Sequence, residues 1–208
     1  NANTFTASSY PTYRGSHTTI NRYTWNKNNT NTWSESGLNT VNLNTNYINY
    51  LNGIDPKWAN MIAEHDYQVG GNTWTNLITT VGKQKYENEL VNPASDIKET
   101  AKIGLMYVSD YGYAADPSYW TTEMYREDGQ DYRLAATSNW MYMGLWEWTI
   151  SRISSSTNYA FSVYSAGYVI GDNRVTVTAA ARPVFYLASN VAYAGGTGEI
   201  NSPIRLSF

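Results

Sequence analysis

The sequence predicts an α+β domain, with short N-terminal helices followed by a twisted antiparallel sheet with long loops. Two patterns carry that prediction. Helical i, i+3 and i+4 spacings crowd the half before residue 92, and alternating, aromatic-rich strand patterns crowd the half after residue 100. Long polar stretches separate them, a helices-then-strands order typical of α+β rather than of strand–helix–strand units. At 208 residues the chain fits an extended N-terminal arm over 1–20 and a single domain over 21–208.

The arm is polar and broken by Pro11 and Gly15 and reads as extended, ending in an edge strand; Arg22–Trp25 (RYTW), which follows it, alternates like a short strand. NKNNTNTW reads as a loop, because Asn tolerates left-handed backbone. Leu38, Val41, Leu43, Tyr47, Ile48 and Leu51 predict two short helices, with Asn42 or Asn44 capping the second. Asp55-Pro56 is a helix start, with Pro at the first helical position, and the helix to about Glu64 is expected to bury Trp58, Met61 and Ile62. HDYQVGG reads as a strand stopped by its glycines. Residues 73–90 read as another helix carrying Leu77, Ile78, Val81, Tyr86 and Leu90.

Asn92-Pro93 ends that pattern. IGLMYVSDYGYA (103–114) predicts a strand ending at Gly112. Residues 115–138 predict a long loop with weak helix at Pro117–Trp120 and a charged turn, REDGQDYR. Strands are expected at Trp140–Met143 and Leu145–Ile150, then a hairpin over 160–177 with turns at Gly167 and Gly171. RPVFYL is apolar enough for a central strand, with Pro183 at its start or at a bulge. The tail offers a Gly-rich turn and one short strand.

Composition narrows the function. Charged residues make up only 15%, whereas Tyr (19) and Trp (8) far outnumber Phe (4). Aromatics with a polar handle suit surfaces that must pack and stay wet at once. A net charge of −3 without a basic cluster disfavours a nucleic-acid partner. No apolar run approaches the roughly 20 residues of a membrane span, so no membrane insertion is expected. The start, NANTFTASSY, reads as a mature or trimmed end. Zero cysteine removes thiol nucleophiles, disulfides and cysteine-type zinc sites.

Catalytic and metal patterns are weak. Glu64, His65 and Asp66 are adjacent, so their side chains diverge on a helix or a strand alike, and His65 reads as packed rather than ligating. Gly171–Asn173 and Glu127–Asp131 are oxygen-rich turns short of a D-x-D-x-D-G calcium loop. No G-x-S-x-G elbow occurs, and GGTG near Gly195 reads as a hairpin turn. The expectation is a non-enzyme without cofactor or metal. Arg182 reads as structural, with Asp110 or Glu147 as its partner; Trp146 and Trp148 share one face of their strand and read as core.

KIGLMYVSDYGYA, NWMYMGLWEWTISR, SAGYV, ARPVFYLASNV and GGTGEINSPIRL resemble a family of bacterial surface domains of C-type-lectin-like fold. RYTWNKNN, LNTVNLNTNYINYL and WANMIAEHDYQVGG extend the resemblance to nearly the whole chain. ARPVFYL is similar to the G-F-R-P-V strand of formylglycine-generating-enzyme-like domains. The order of Trp-rich strand, polar run and R-P-V strand resembles variable proteins diversified by retroelements, such as phage tropism determinants. The E-P-N, Q-P-D and W-N-D calcium motifs of the sugar-binding lectins are absent, as are the copper-site cysteines of the formylglycine-generating enzymes.

The resemblance implies that the polar run between the two apolar blocks is a receptor-binding face. The candidate contacts are Trp140, Tyr142, Ser154, Ser155, Thr157, Asn158, Tyr159, Tyr164, Ser165, Tyr168, Ile170, Asp172, Asn173, Arg174 and Thr176. Their Tyr/Ser/Asn/Gly chemistry is that of an adaptable paratope. On the hairpin Phe161 and Val163 should face in and Tyr164 out. The expected function is an extracellular ligand- or receptor-binding, adhesin-like module on a cell surface or virion. Its partner would be a protein or glycan receptor on another surface, with homo-oligomerisation possible. The alternative is a pilin-like filament subunit joined through its N-terminal arm.

Overall fold

The computed structural model describes residues 3–125 and 132–208; the charged turn expected over REDGQDYR falls almost wholly outside them. The chain is a mixed α+β fold of small antiparallel sheets. Its middle layer is β6 (Glu147–Arg152), β7 (Tyr159–Val163) and β8 (Val169–Arg174), in that order. Near the N-terminus, β1 (Asn3–Thr6) pairs with β2 (Thr19–Thr24), which also pairs with β9 (Thr178–Ala179). The first residues therefore fold back as a hairpin on their own domain.

β6 shows why the middle layer is a layer. Trp148 and Ile150 enter one apolar cluster with Trp25, Trp33, Tyr67 and Leu105. The alternate residues Glu147, Thr149 and Ser151 are polar, buried and all hydrogen-bonded. Thr149 donates to the Phe161 carbonyl at 2.9 Å. On β7, Phe161 and Val163 enter a second cluster with Leu77, Val108, Tyr111, Met124 and Val169, inward as expected from period two.

Helix starts follow their caps. The Asp55 carboxylate accepts the Lys57 N–H at 3.0 Å ahead of α2 (Pro56–Asn60), and the same bond lowers its pKa. Met61 and Ile62 are buried as expected; Trp58 instead stays 43% exposed, with the Lys57 ammonium over its ring. The break expected at Asn42 or Asn44 does not occur. A wide π-helical run, Leu38–Tyr47, passes into α1 (Ile48–Ile54). Asn44 fails to cap because its amide is engaged across space: it donates to the Ile103 carbonyl at 2.8 Å and accepts the Ile103 N–H at 2.9 Å. The helix expected over 73–90 divides into α3 (Trp74–Ile78), capped by Thr73, α4 (Gly82–Tyr86) and a π turn over Glu87–Val91. It divides where the Gly82 N–H turns to the Trp120 carbonyl. Val81 and Tyr86 are left exposed.

β3 (His65–Gln68) forms as expected and pairs with β4 (Lys98–Ala101). The strand expected over 103–114 is mostly a helix. Only β5 (Ile103–Gly104) is extended, and α5 (Val108–Tyr113) follows. The cause is capping from afar. Buried Glu89 accepts the Val108 and Ser109 N–H groups at 3.0 and 2.8 Å, and Asp110 reaches back to the Tyr107 N–H at 2.9 Å. Those are the amides a helix start leaves without partners.

Two further strand expectations are corrected. Trp140–Met143 is a turn closed by Asn139, and Gly144, at φ +70°, breaks the chain before β6. RPVFYL is no central strand: β10 (Val184–Phe185) pairs with the two-residue β5, Leu187 makes a single bridge to Ile62, and residues 185–187 are exposed. Pro183 offers no N–H, and so short a neighbour supports no longer ladder. The long loop holds a turn of 3₁₀ helix at Pro117–Tyr119 and α6 (Arg133–Ser138). The tail is a hairpin of β11 (Ala192–Gly195) and β12 (Arg205–Ser207).

Glu89 makes stability depend on pH with a definite sign. Burial pushes its carboxyl above the ordinary 4.5, against the pull of the Ser151 hydroxyl and the two amides. A raised folded pKa means that the folded state binds the proton more tightly than the unfolded one. Its contribution is present below about pH 4.5 and lost as pH rises through the folded value. The unfolding free energy of the wild type relative to Glu89→Gln is therefore expected to fall as pH rises across that window. Urea titrations of both proteins at a series of pH values check this; a difference that grows with pH would contradict it.

Candidate binding face

The predicted hairpin exists, but its two ends are distinct surfaces. β7 and β8 pair from Tyr159↔Arg174 to Val163↔Val169, so the ends are separated by a five-residue strand, roughly 16 Å at ~3.3 Å per residue.

One end is the turn Tyr164–Tyr168. The Tyr164 N–H donates to the Tyr168 carbonyl at 2.7 Å and the Gly167 N–H to the Tyr164 carbonyl at 2.8 Å. Gly167 has φ +97°, and a Cβ there would meet Ala136 at 2.3 Å, so only glycine fits. Three hydroxyls from distant segments grip this turn. Tyr111 donates to the Gly167 carbonyl at 2.7 Å, Tyr142 to the Ser165 carbonyl at 2.7 Å, and Thr12 to the same carbonyl at 3.0 Å. On that fixed backbone the Tyr164 and Tyr168 rings stack, 5.1 Å between centroids. Tyr164 faces outward as expected, 36% exposed.

The opposite end carries Ser154, Ser155, Thr157, Asn158, Tyr159, Arg174 and Thr176. The buried Asn31 amide holds its turn by donating to the carbonyls of Ile153, Ser156 and Tyr159 at 2.9–3.0 Å. Ser155, Thr157, Arg174 and Thr176 are exposed, whereas Ser154, Asn158 and Tyr159 are half-buried. Between the ends, Asp172 is exposed and Ile170 half-buried, and the Asn173 amide is engaged with the Ser162 hydroxyl at 2.7 Å.

Two candidates leave this face. Tyr142 is buried at 7% exposure, its ring under the Arg14 guanidinium and its hydroxyl on the Ser165 carbonyl. Trp140 is 77% exposed but borders a separate hollow of about 550 Å³ with Tyr113, Pro183, Phe185 and Tyr186. Arg182 is structural, and Glu147 is its partner: Nη2 and Nε donate to the two carboxylate oxygens at 2.7 and 3.2 Å, and Nη2 to the Met141 carbonyl at 2.6 Å.

Trp146, read as core, packs against the apolar cluster of Trp148 and also borders this face. It is half-buried, its N–H donates to the Ser162 hydroxyl at 2.9 Å, and its ring lies 6.1 Å from Tyr164. The Arg22 guanidinium lies 5.2 Å from that ring and 4.6 Å from Phe5. The result is a continuous row: Phe5, Arg22, Trp146, Tyr164, Tyr168. Alternation put Trp146 and Trp148 on one side correctly; Trp148 is fully covered, because β2 and β9 pack over it, and Trp146 only partly. No local signal could have brought Phe5 or Arg22 to this row.

His65 stacks on Tyr186 at 3.7 Å and Asp66 accepts from the Thr100 hydroxyl at 2.6 Å. Among the described residues no group of three or more His, Asp or Glu is placed to hold a metal ion; Glu127–Asp131 lies outside those residues. No helix of the described residues is long and apolar enough to cross a membrane. The chain matches no protein-family model, no curated protein and no solved structure.

Proposed function

We propose that the domain is an extracellular, adhesin-like binding module of C-type-lectin-like fold, resembling the retroelement-diversified surface proteins. Its receptor, a protein or glycan on another cell or surface, docks on the Trp146–Tyr164–Tyr168 end of the hairpin. The observation that carries this reading is the stacked pair of exposed Tyr164 and half-buried Tyr168 on a turn held by three hydroxyl-to-carbonyl bonds. Rigid aromatic contact area loses little conformational freedom on binding, and a fixed backbone lowers that cost further. The test is binding of the labelled domain to intact bacterial cells, read by flow cytometry, with the Tyr164→Ala/Tyr168→Ala double variant beside it.

A filament-subunit reading draws on another observation. β1 is the end strand of the order β1-β2-β9, with one side open to a neighbour's strand. Under that reading, deleting residues 1–15 abolishes assembly, seen by electron microscopy, while receptor binding survives. Under the binding-module reading the same deletion weakens binding, because it removes Phe5 from the row and Thr12 from the turn.

A further inference from the structure

Away from the hairpin, two hollows of about 750 and 660 Å³ adjoin between β2 and the π-helical run Leu38–Tyr47. They share the side chains of Tyr23, Asn42 and Tyr47; Tyr50 and Asn46 line the first, and Tyr13 the second. The volumes are those of ligand sites rather than of packing defects. Among the described residues the amides of Asn42 and Asn46 make no side-chain hydrogen bond, although Asn42 is half-buried. Nearby Asn39 and Asn44 are fully engaged with backbone carbonyls. The buried Tyr67, Tyr111, Tyr132 and Tyr142 each donate to a carbonyl. The half-buried Tyr13, Tyr23 and Tyr47 keep theirs free among the described residues.

Charge is sparse there. Arg182, which borders the second hollow, is neutralised by Glu147, and Lys27 and Glu35 at the far end have opposite signs. Strand addition by a peptide has little to hold. β2 already pairs with β1 over Thr19–Arg22 and with β9 at Tyr23 and Thr24, and the other wall is a helix. Flat phenol rings and paired amide donors and acceptors instead match the C–H faces and neighbouring hydroxyls of sugars. We infer that this groove binds a neutral oligosaccharide chain, at a site separate from the hairpin face.

Nuclear magnetic resonance titration of the isotope-labelled full chain with hexasaccharides of glucose, of N-acetylglucosamine and of mannose tests it. At least one is expected to shift backbone signals of residues 19–24 and 38–50. Affinity for that sugar should fall about tenfold in Asn42→Ala/Tyr47→Phe, changes that remove hydrogen-bonding groups while keeping the ring that packs, and should be unchanged in Tyr164→Ala/Tyr168→Ala. Three outcomes would overturn the inference: no hexasaccharide shifting these signals, shifts centred on residues 164–168, or wild-type affinity in the groove variant. The first and third leave the hairpin proposal standing, so the two readings fail separately.

Discussion

Glu147→Ala is expected to destabilise the domain by about 2–3 kcal/mol, the cost of leaving the part-buried Arg182 guanidinium without its carboxylate. Glu147 is 3% exposed, and burial pushes its carboxyl up against the pull of the Arg182 guanidinium beside it. The pair joins three segments, the start of β6, the turn at Met141 and the strand after Arg182, beside the backbone bonds that tie Trp146 and Trp148 to Ala180. Alanine at 147 leaves the guanidinium with one carbonyl. Removing both partners should cost less than the two single changes added together, because the second change then removes a group already stranded. Urea unfolding of the two single variants and the double variant measures this. A single-variant cost under about 1 kcal/mol would place the pair with exposed ion pairs and refute its structural role.

The second large effect is on binding. Tyr164→Ala/Tyr168→Ala is expected to lose at least about a hundredfold in receptor affinity, as aromatic anchors at the centre of an interface do. The folded state should lose only about 2–3 kcal/mol, since Tyr164 lies at the surface, Tyr168 is half-buried at the margin of an apolar cluster, and the turn's own bonds run through backbone atoms. Cell binding and thermal unfolding are read on the same preparations. If unfolding collapses, the rings are packing groups; if binding persists, the receptor docks elsewhere, with the Ser154–Tyr159 end the next surface to test.

The two halves of the fold were not equally legible. Asp55-Pro56 announced its helix because cap and first turn are neighbours in sequence, and His65–Gln68 announced its strand by local alternation. Arg182 could be paired with Glu147 because a charge beside an apolar run needs a partner. Val108–Tyr113 was illegible for the opposite reason: Glu89, nineteen residues earlier, supplies the acceptors that turn an alternating stretch into a helix. RPVFYL misled because apolarity marks burial only where a neighbour exists to give it. The candidate site was legible in kind, as a tyrosine-bearing hairpin. Its division into two ends follows from the β7–β8 pairing, whereas the cover of Arg14 over Tyr142 and the meeting of Arg22 with Trp146 depend on contacts across more than a hundred positions.

The grips on the hairpin turn have an evolutionary consequence. Thr12, Tyr111 and Tyr142 all hold carbonyl oxygens of Ser165 and Gly167, atoms that every amino acid possesses. Exchanging the side chains at 164 and 165 therefore leaves the loop's anchorage untouched, whereas Gly167 is fixed by space and Tyr168 packs against the apolar cluster beneath. Such a loop can drift toward new targets without the rest of the molecule having to change in step.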